Sequence, residues 1–365
     1  MRSFFAISLA LVAGCGDNLG GPETLPADQA PENGNEAADP VQRVRPEVCG
    51  VRSWDVVYDA KDADLRAVGT PTGAAVFMVP KAGGILRGFL VDGRGLVVGN
   101  QDGQKIRGDA NFTGLSATRV DDRYVVGLVT GNQISVNAIR DDLGDYRELT
   151  VVPGAFVGDS TVMHSRNTRI TATGGSTGMV MSTFDSNWVP MGSEVVARSV
   201  PVSMTSASYG NDAMIGWSTD NECHVQRIAS GVESMQPYPC HNSRLALDYA
   251  SRGGWMVYEV GERLMIAKIA VDGHNQIANE QQLARFGSSP RIAFDGQRFW
   301  ASYVDFHGDL VVGFIDENGT LDSTSISGTR PLAGAYDLAV IGGSPWVYAI
   351  DENGVGATHL CTMAY

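Results

Sequence analysis

From about residue 64 onward the chain repeats itself, and this repeat limits the folds open to it more than any other feature. The unit is clearest near the end. The runs Arg291–Phe294, Phe299–Tyr303 and Leu310–Ile315 are separated by short polar links such as Asp295-Gly296 and closed by Asp316–Gly319. Each run is rich in β-branched or aromatic residues and bounded by Gly, Asp or Asn, which are strand and hairpin signals. A marker in the second run recurs at Val76, Tyr124, Ile170, Met214, Trp255, Trp300 and Trp346. A marker at the end of the third recurs at Leu90, Ile139, Phe184, Ile228, Ile269, Ile315 and Leu360. Successive members of both series lie 41 to 49 residues apart, so two independent landmarks stay in step. More polar runs, as at Glu148–Val152 and Glu194–Ala197, supply a fourth strand. Helical periodicity is not sustained anywhere; Asn279–Arg285 comes nearest and is short.

Four short strands per unit predict an all-β fold, a β-propeller. A single four-stranded sheet with two apolar faces cannot bury both alone, and a ring of such sheets covers both faces of each. A pair of β-sandwiches also has many short strands but would not keep a constant four-strand period. Seven blades are expected, with six or eight left open by the degenerate unit around Gly174. The last unit reaches only its third strand at Leu360-Cys361, and the strand-like run Val51–Tyr58 precedes the first unit. An N-terminal strand is therefore expected to close the ring, with a Cys49–Cys361 disulfide locking it. Cys223 and Cys240 form the second expected pair. A metal site built from these two and the adjacent His224 and His241 is disfavoured, because neighbours on a strand point to opposite faces.

The first residues read as an address. Arg2 precedes an apolar run, Phe4–Ala13, of signal-peptide length and too short to span a bilayer. It ends in Val12-Ala13-Gly14-Cys15, which resembles the lipobox of bacterial lipoproteins. The resemblance implies cleavage after residue 14, acylation of Cys15 and a stable membrane anchor, since several acyl chains hold where one does not. Gly16, in the place where an Asp retains such proteins at the inner membrane, points to the outer membrane or cell surface. Residues 15–47 have no apolar period and read as a lipidated disordered tether, leaving 48–365 for the propeller. The export signal and the four remaining cysteines agree on an oxidising compartment. A net charge of −14 argues against a nucleic-acid partner, which needs a basic surface.

Several motifs suggest chemistry that their context withdraws. Gly174–Gly178 matches G-x-S-x-G but sits at a hairpin turn with no helix after it. Asp316–Gly319 and Asp351–Gly354 resemble pieces of calcium loops without the ligand series, and both fall where a hairpin must turn. Ser182–Trp188 resembles the Asp-box of sialidase propellers but misses its Asp and Gly spacing. The aromatics Trp255, Tyr258, Trp300, Tyr303, Trp346 and Tyr348 share one phase across units, which suits packing between blades. No cofactor, metal or catalytic residue is assigned. A ligand face is expected at the turns between second and third strands, where Asp220, Asp305, His307 and Asp309 lie, although such loops are polar in any case. The sequence thus reads as a monomeric, lipid-anchored propeller that binds an envelope protein or a glycan. A glycan-active hydrolase or lyase is the alternative, and a purely structural surface protein the third reading.

Overall fold

The computed structural model describes residues 44–54, 63–80, 84–110, 112, 114–153, 156–175, 178–228, 232–234, 238–240, 244–250, 253–269, 277–326, 328–332, 335–352 and 354–364. Cys15, the signal-like run and most of the expected tether lie outside them, as does His241. Among the described residues there is no α-helix, and the strands form seven antiparallel sheets. The chain is a seven-bladed β-propeller. Blade 2, for example, runs from Gly114–Val120 through Arg123–Thr130 and Gln133–Arg140 to Tyr146–Pro153 in simple meander order. The fourth strands of blades 1 and 4 are each split in two, at Val97–Val98 and Gln104–Ala110, and at Val232–Ser234 and Tyr238–Pro239. Asn279–Arg285, the nearest thing to a helix in the sequence, falls largely in the fourth strand of blade 5, Ile277–Ala284. The unit around Gly174 is a complete blade.

The seven innermost strands are Ala63–Gly69, Gly114–Val120, Phe156–Ser165, Ser203–Tyr209, Leu245–Ala250, Ser288–Phe294 and Tyr336–Ile341. Each touches the next, and the last touches the first, so the ring is closed. An inner strand has one edge without a ladder partner, and its buried N–H groups need acceptors. Side chains of adjacent blades supply them. Ala67 N donates to Asp337 Oδ2 at 2.8 Å, from blade 1 to blade 7, and Phe294 N donates to Asp248 Oδ2 at 2.7 Å, from blade 6 to blade 5. Between blades 3 and 4, His164 N donates to Ser208 Oγ at 3.3 Å, and that hydroxyl donates to His164 O at 3.1 Å.

Blade 7 joins the two ends of the chain. Val44–Trp54 is its outer strand and pairs antiparallel with Gly354–Ala364 from Val44↔Ala364 to Trp54↔Val355. The closing strand begins at Val44, inside the stretch the sequence assigned to the tether, because the third strand of blade 7 is long and offers eleven residues to pair with. Cys49–Cys361 clips this pair with a Cα separation of 5.9 Å, and Cys223–Cys240 clips blade 4 at 5.5 Å. Both separations suit a disulfide. The phase-matched aromatics pack between blades as expected: Tyr258, Trp300 and Tyr348 are fully buried and Trp54 stacks 6.0 Å from Phe89. His224 lies flat on Trp217 at 4.8 Å.

A five-residue turn recurs. In Asp305–Asp309, Asp305 Oδ1 accepts the N–H groups of His307 and Asp309, both at 2.9 Å, while Asp305 N donates to Asp309 O. Asp92, Asp185 and Asp316 do the same for the residues two and four later. The fourth position takes positive φ and is Gly95, Gly308 and Gly319 in three of these turns, but Trp188 (φ 63°) in the other. A bulky side chain there is strained. Burial offsets the strain, since the Trp188 ring is 7% exposed and packs on Phe184 at 5.6 Å among the valines between blades 2 and 3.

Two outcomes follow from this packing. Trp188→Gly relieves the backbone but empties the seam, and the cavity term dominates: a net loss of about 2–4 kcal/mol is expected in denaturant unfolding. The disulfides close loops of very different length, with sequence separations of 312 and 17. In the chain-entropy picture Cys361→Ser costs about 5 kcal/mol and Cys223→Ser about 3 kcal/mol, so the unfolding midpoint falls further for the first.

Candidate functional site

In an antiparallel meander the turns alternate between the two faces of the ring. One face carries the turns between second and third strands and the connections from each blade to the next. All four residues singled out by the sequence lie there: Asp220 in the blade 4 turn, and Asp305, His307 and Asp309 in the blade 6 turn. The fold separates Asp220 from the other three by the whole of blade 5. Asp220 is exposed in a turn closed by Thr219 N donating to Glu222 O at 2.8 Å. Asp305 Oδ1 is taken up by its own turn. Asp309 Oδ1 accepts from Arg330 Nε at 2.7 Å.

The side chains left free in the blade 6 turn are Phe306 and His307. Phe306 is the most exposed large apolar residue among those described, at 69%. Its ring lies 3.6 Å from that of His307 and 5.7 Å from that of Phe286, which is 37% exposed on the connection between blades 5 and 6. The Arg285 guanidinium stands over Phe286 at 5.2 Å, a cation–π geometry. Beside them a shallow cleft of about 680 Å³ is lined by Glu262, Arg263, Gln282, Arg285 and Phe286, together with Val260 and Gly261. Gly287 makes the connection fit: its N–H donates to Glu262 O at 2.9 Å, and a Cβ there would stand 2.6 Å from Leu264 and 2.8 Å from Tyr303.

Further toward the ring axis, on the same face, a polar cluster joins blades 5, 6 and 7. Glu259 Oε1 accepts from Ser289 N at 2.5 Å, and Arg244 Nη1 donates to Ser289 Oγ at 2.9 Å. Ser289 itself has positive φ (55°), so these bonds hold a strained corner. Arg291 sits over the Tyr336 ring at 5.4 Å and pairs with Asp337 at 3.4 Å. Burial pushes the Glu259 carboxyl above the ordinary carboxylate range, although the Ser289 N–H and the nearby Arg244 and Arg291 pull it back. Burial likewise raises Tyr303, helped by the Asp305 charge. The sequence did not single out Arg244, Glu259, Arg291, Phe286 or Phe306. They belong to different blades, and only ring closure and blade packing bring them to one place.

No protein-family model matches the chain, and no curated protein matches it by sequence. Solved structures match its shape. The WD40 domain of Toxoplasma gondii coronin is similar with a TM-score of 0.61 at 10% identity, over 89% of this chain and 87% of that one. Hydrazine synthase of Kuenenia stuttgartiensis is similar with a TM-score of 0.58 at 13% identity, over 85% and 97%. BBS1N, solved in complex with ARL6DN, is similar with a TM-score of 0.55 at 10% identity, over 87% and 97%. At these identities the likeness speaks for the propeller fold alone.

The shifted Glu259 gives a pH signature. A carboxyl whose pKa is raised in the folded state binds its proton more tightly there than in the unfolded chain. Its contribution is present below the ordinary carboxylate pKa and is lost as pH rises through the folded value. Glu259→Gln keeps an acceptor for Ser289 N and removes that titration. Unfolding midpoints measured from pH 3.5 to 7.5 are expected to fall less with rising pH in the variant than in the parent protein (the range being chosen to bracket the ordinary carboxylate pKa of about 4.3).

Proposed function

We propose that this chain is an envelope-anchored lipoprotein whose propeller is a binding platform, with the turn face of blades 5 and 6 as its contact surface. One observation carries the platform reading: Phe306, His307 and Phe286 form an exposed aromatic patch held by a hydrogen-bonded turn and a glycine-tight connection. Exposed aromatics on a rigid scaffold are how a surface binds with little ordering cost. The lipobox-like Val12–Cys15 supports the anchor, and Gly16 after it favours the outer membrane or cell surface. A monomer is the form proposed for the platform.

The glycan-active alternative has one observation in its favour, the raised carboxyl of Glu259, which suits a general acid. Glycoside hydrolysis generally needs a second carboxyl group across the bond. The Asp337 carboxylate, on the same side of the ring, is engaged by Ala67 N, Leu338 N and Arg291. Binding is therefore the reading we adopt.

Two measurements test it. Radiolabelled palmitate should enter the parent protein in a bacterial host and be absent from Cys15→Ser. A photo-crosslinking amino acid at position 306 should give adducts in intact cells, whereas one at the exposed Gln297 on the opposite face should not. Phe286→Ala should reduce the adducts at least fivefold while leaving the unfolding free energy within about 0.5 kcal/mol of the parent, as for other surface changes.

A further inference from the structure

We infer that the ligand of this platform is an acidic glycan, one whose sugars carry carboxylates, seated in the cleft beside Phe286. The inference rests on the platform reading and adds the chemistry of the partner. Several arginines at the turns pair with a carboxylate: Arg94 with Asp92 at 2.9 Å, Arg140 with Asp142 at 2.7 Å and Arg330 with Asp309 at 2.7 Å. Arg263 and Arg285 have no such pair and stand together. Both line the cleft, and neither forms an ion pair with any described residue. On a chain of net charge −14, two guanidinium groups that pair with no described carboxylate give one concavity a cationic contact for a carboxylate ligand. Their planar forks match a carboxylate bidentately.

The remaining lining separates a sugar acid from an acidic peptide. Glu262 is exposed at the cleft and is an acceptor-only group when ionised. Hydroxyls beside each sugar carboxylate can donate to it, whereas the side chains of an acidic peptide carry carboxylates with no neighbouring hydroxyls to offset the like charge. Gln282 offers both a donor and an acceptor, which a pair of neighbouring hydroxyls satisfies. Phe286 supplies the apolar wall against which the C–H face of a pyranose packs, and Phe306, 5.7 Å from it at a 56° tilt, offers a second facet at the edge of the cleft to a neighbouring sugar. The cleft volume of about 680 Å³ lies in the range of sites that take small organic ligands.

The test uses the full chain carrying Cys15→Ser, run by affinity electrophoresis and calorimetry against polygalacturonate, neutral dextran and poly-glutamate. Polygalacturonate should bind, dextran and poly-glutamate should bind at least tenfold more weakly, and affinity should fall as salt rises. Arg263→Ala with Arg285→Ala should weaken polygalacturonate binding at least tenfold, and Phe286→Ala with Phe306→Ala comparably, with unfolding midpoints unchanged. Equal binding of poly-glutamate would overturn the glycan in favour of an acidic peptide. Equal binding of dextran, or no effect of the arginine pair, would overturn the acidic requirement. Photo-adducts at position 306 without any polysaccharide binding would leave the platform standing and reject this ligand. Polygalacturonate binding that survives loss of both phenylalanines would reject the platform as its site.

Discussion

The pairing of Val44–Trp54 with Gly354–Ala364 is the interaction on which the rest depends. Each blade buries its faces against two neighbours, so a ring with one gap leaves two apolar faces open and two inner strands short of acceptors. The N-terminal strand gives blade 7 its outer edge, and that blade then binds blade 1 through Asp337 and Ala67. Cys49–Cys361 sets its covalent clip on this same strand pair, where the unfolded chain has the longest loop to close. The second disulfide sits in blade 4, whose fourth strand is broken into two short pieces, and ties its third strand to the loop beyond them. Both clips thus lie at blades whose outer strands are not formed by a single continuous hairpin.

The repeat was legible because its signals are local. Strand runs, hairpin residues and the phase of Trp255, Trp300 and Trp346 all lie within a few residues of one another and follow from side-chain alternation and turn chemistry. Ring closure was legible too, since a unit lacking its last strand and a spare strand before the first unit complement one another. The starting point of that strand was not: Val44–Glu47 are polar and proline-containing, and become strand only because Ala364–Cys361 lie opposite them.

The site was half legible for a definable reason. Looking for acids in turns led to Asp305 and Asp309, in the blade 6 turn. The same Asp, with Gly at the fourth position, holds the turns beginning at Asp92 and Asp316, so both residues have a backbone job wherever they recur. Subtracting the recurring Asp and Gly from Asp305–Asp309 leaves Phe306, His307 and Asp309; Asp309 is held by Arg330, so Phe306 and His307 are the two that face outward. That comparison across repeats was available in the sequence and would have shifted attention from the acids to the aromatic pair. Phe286, Arg285 and Glu262 could not have been reached in that way. They lie on different connections of blades 5 and 6, and only three-dimensional packing around Gly287 makes them neighbours.

The closing strand also sets the polarity of the ring. It runs from Val44, on the face of the third-to-fourth-strand turns, to Trp54, on the face that carries Phe306. Eleven strand residues rise about 35 Å. The chain therefore enters the propeller on the side away from the aromatic patch. One element thus does two things: the strand that completes the last blade also fixes which face of the ring the described chain enters by, and that face is opposite the one bearing Phe306.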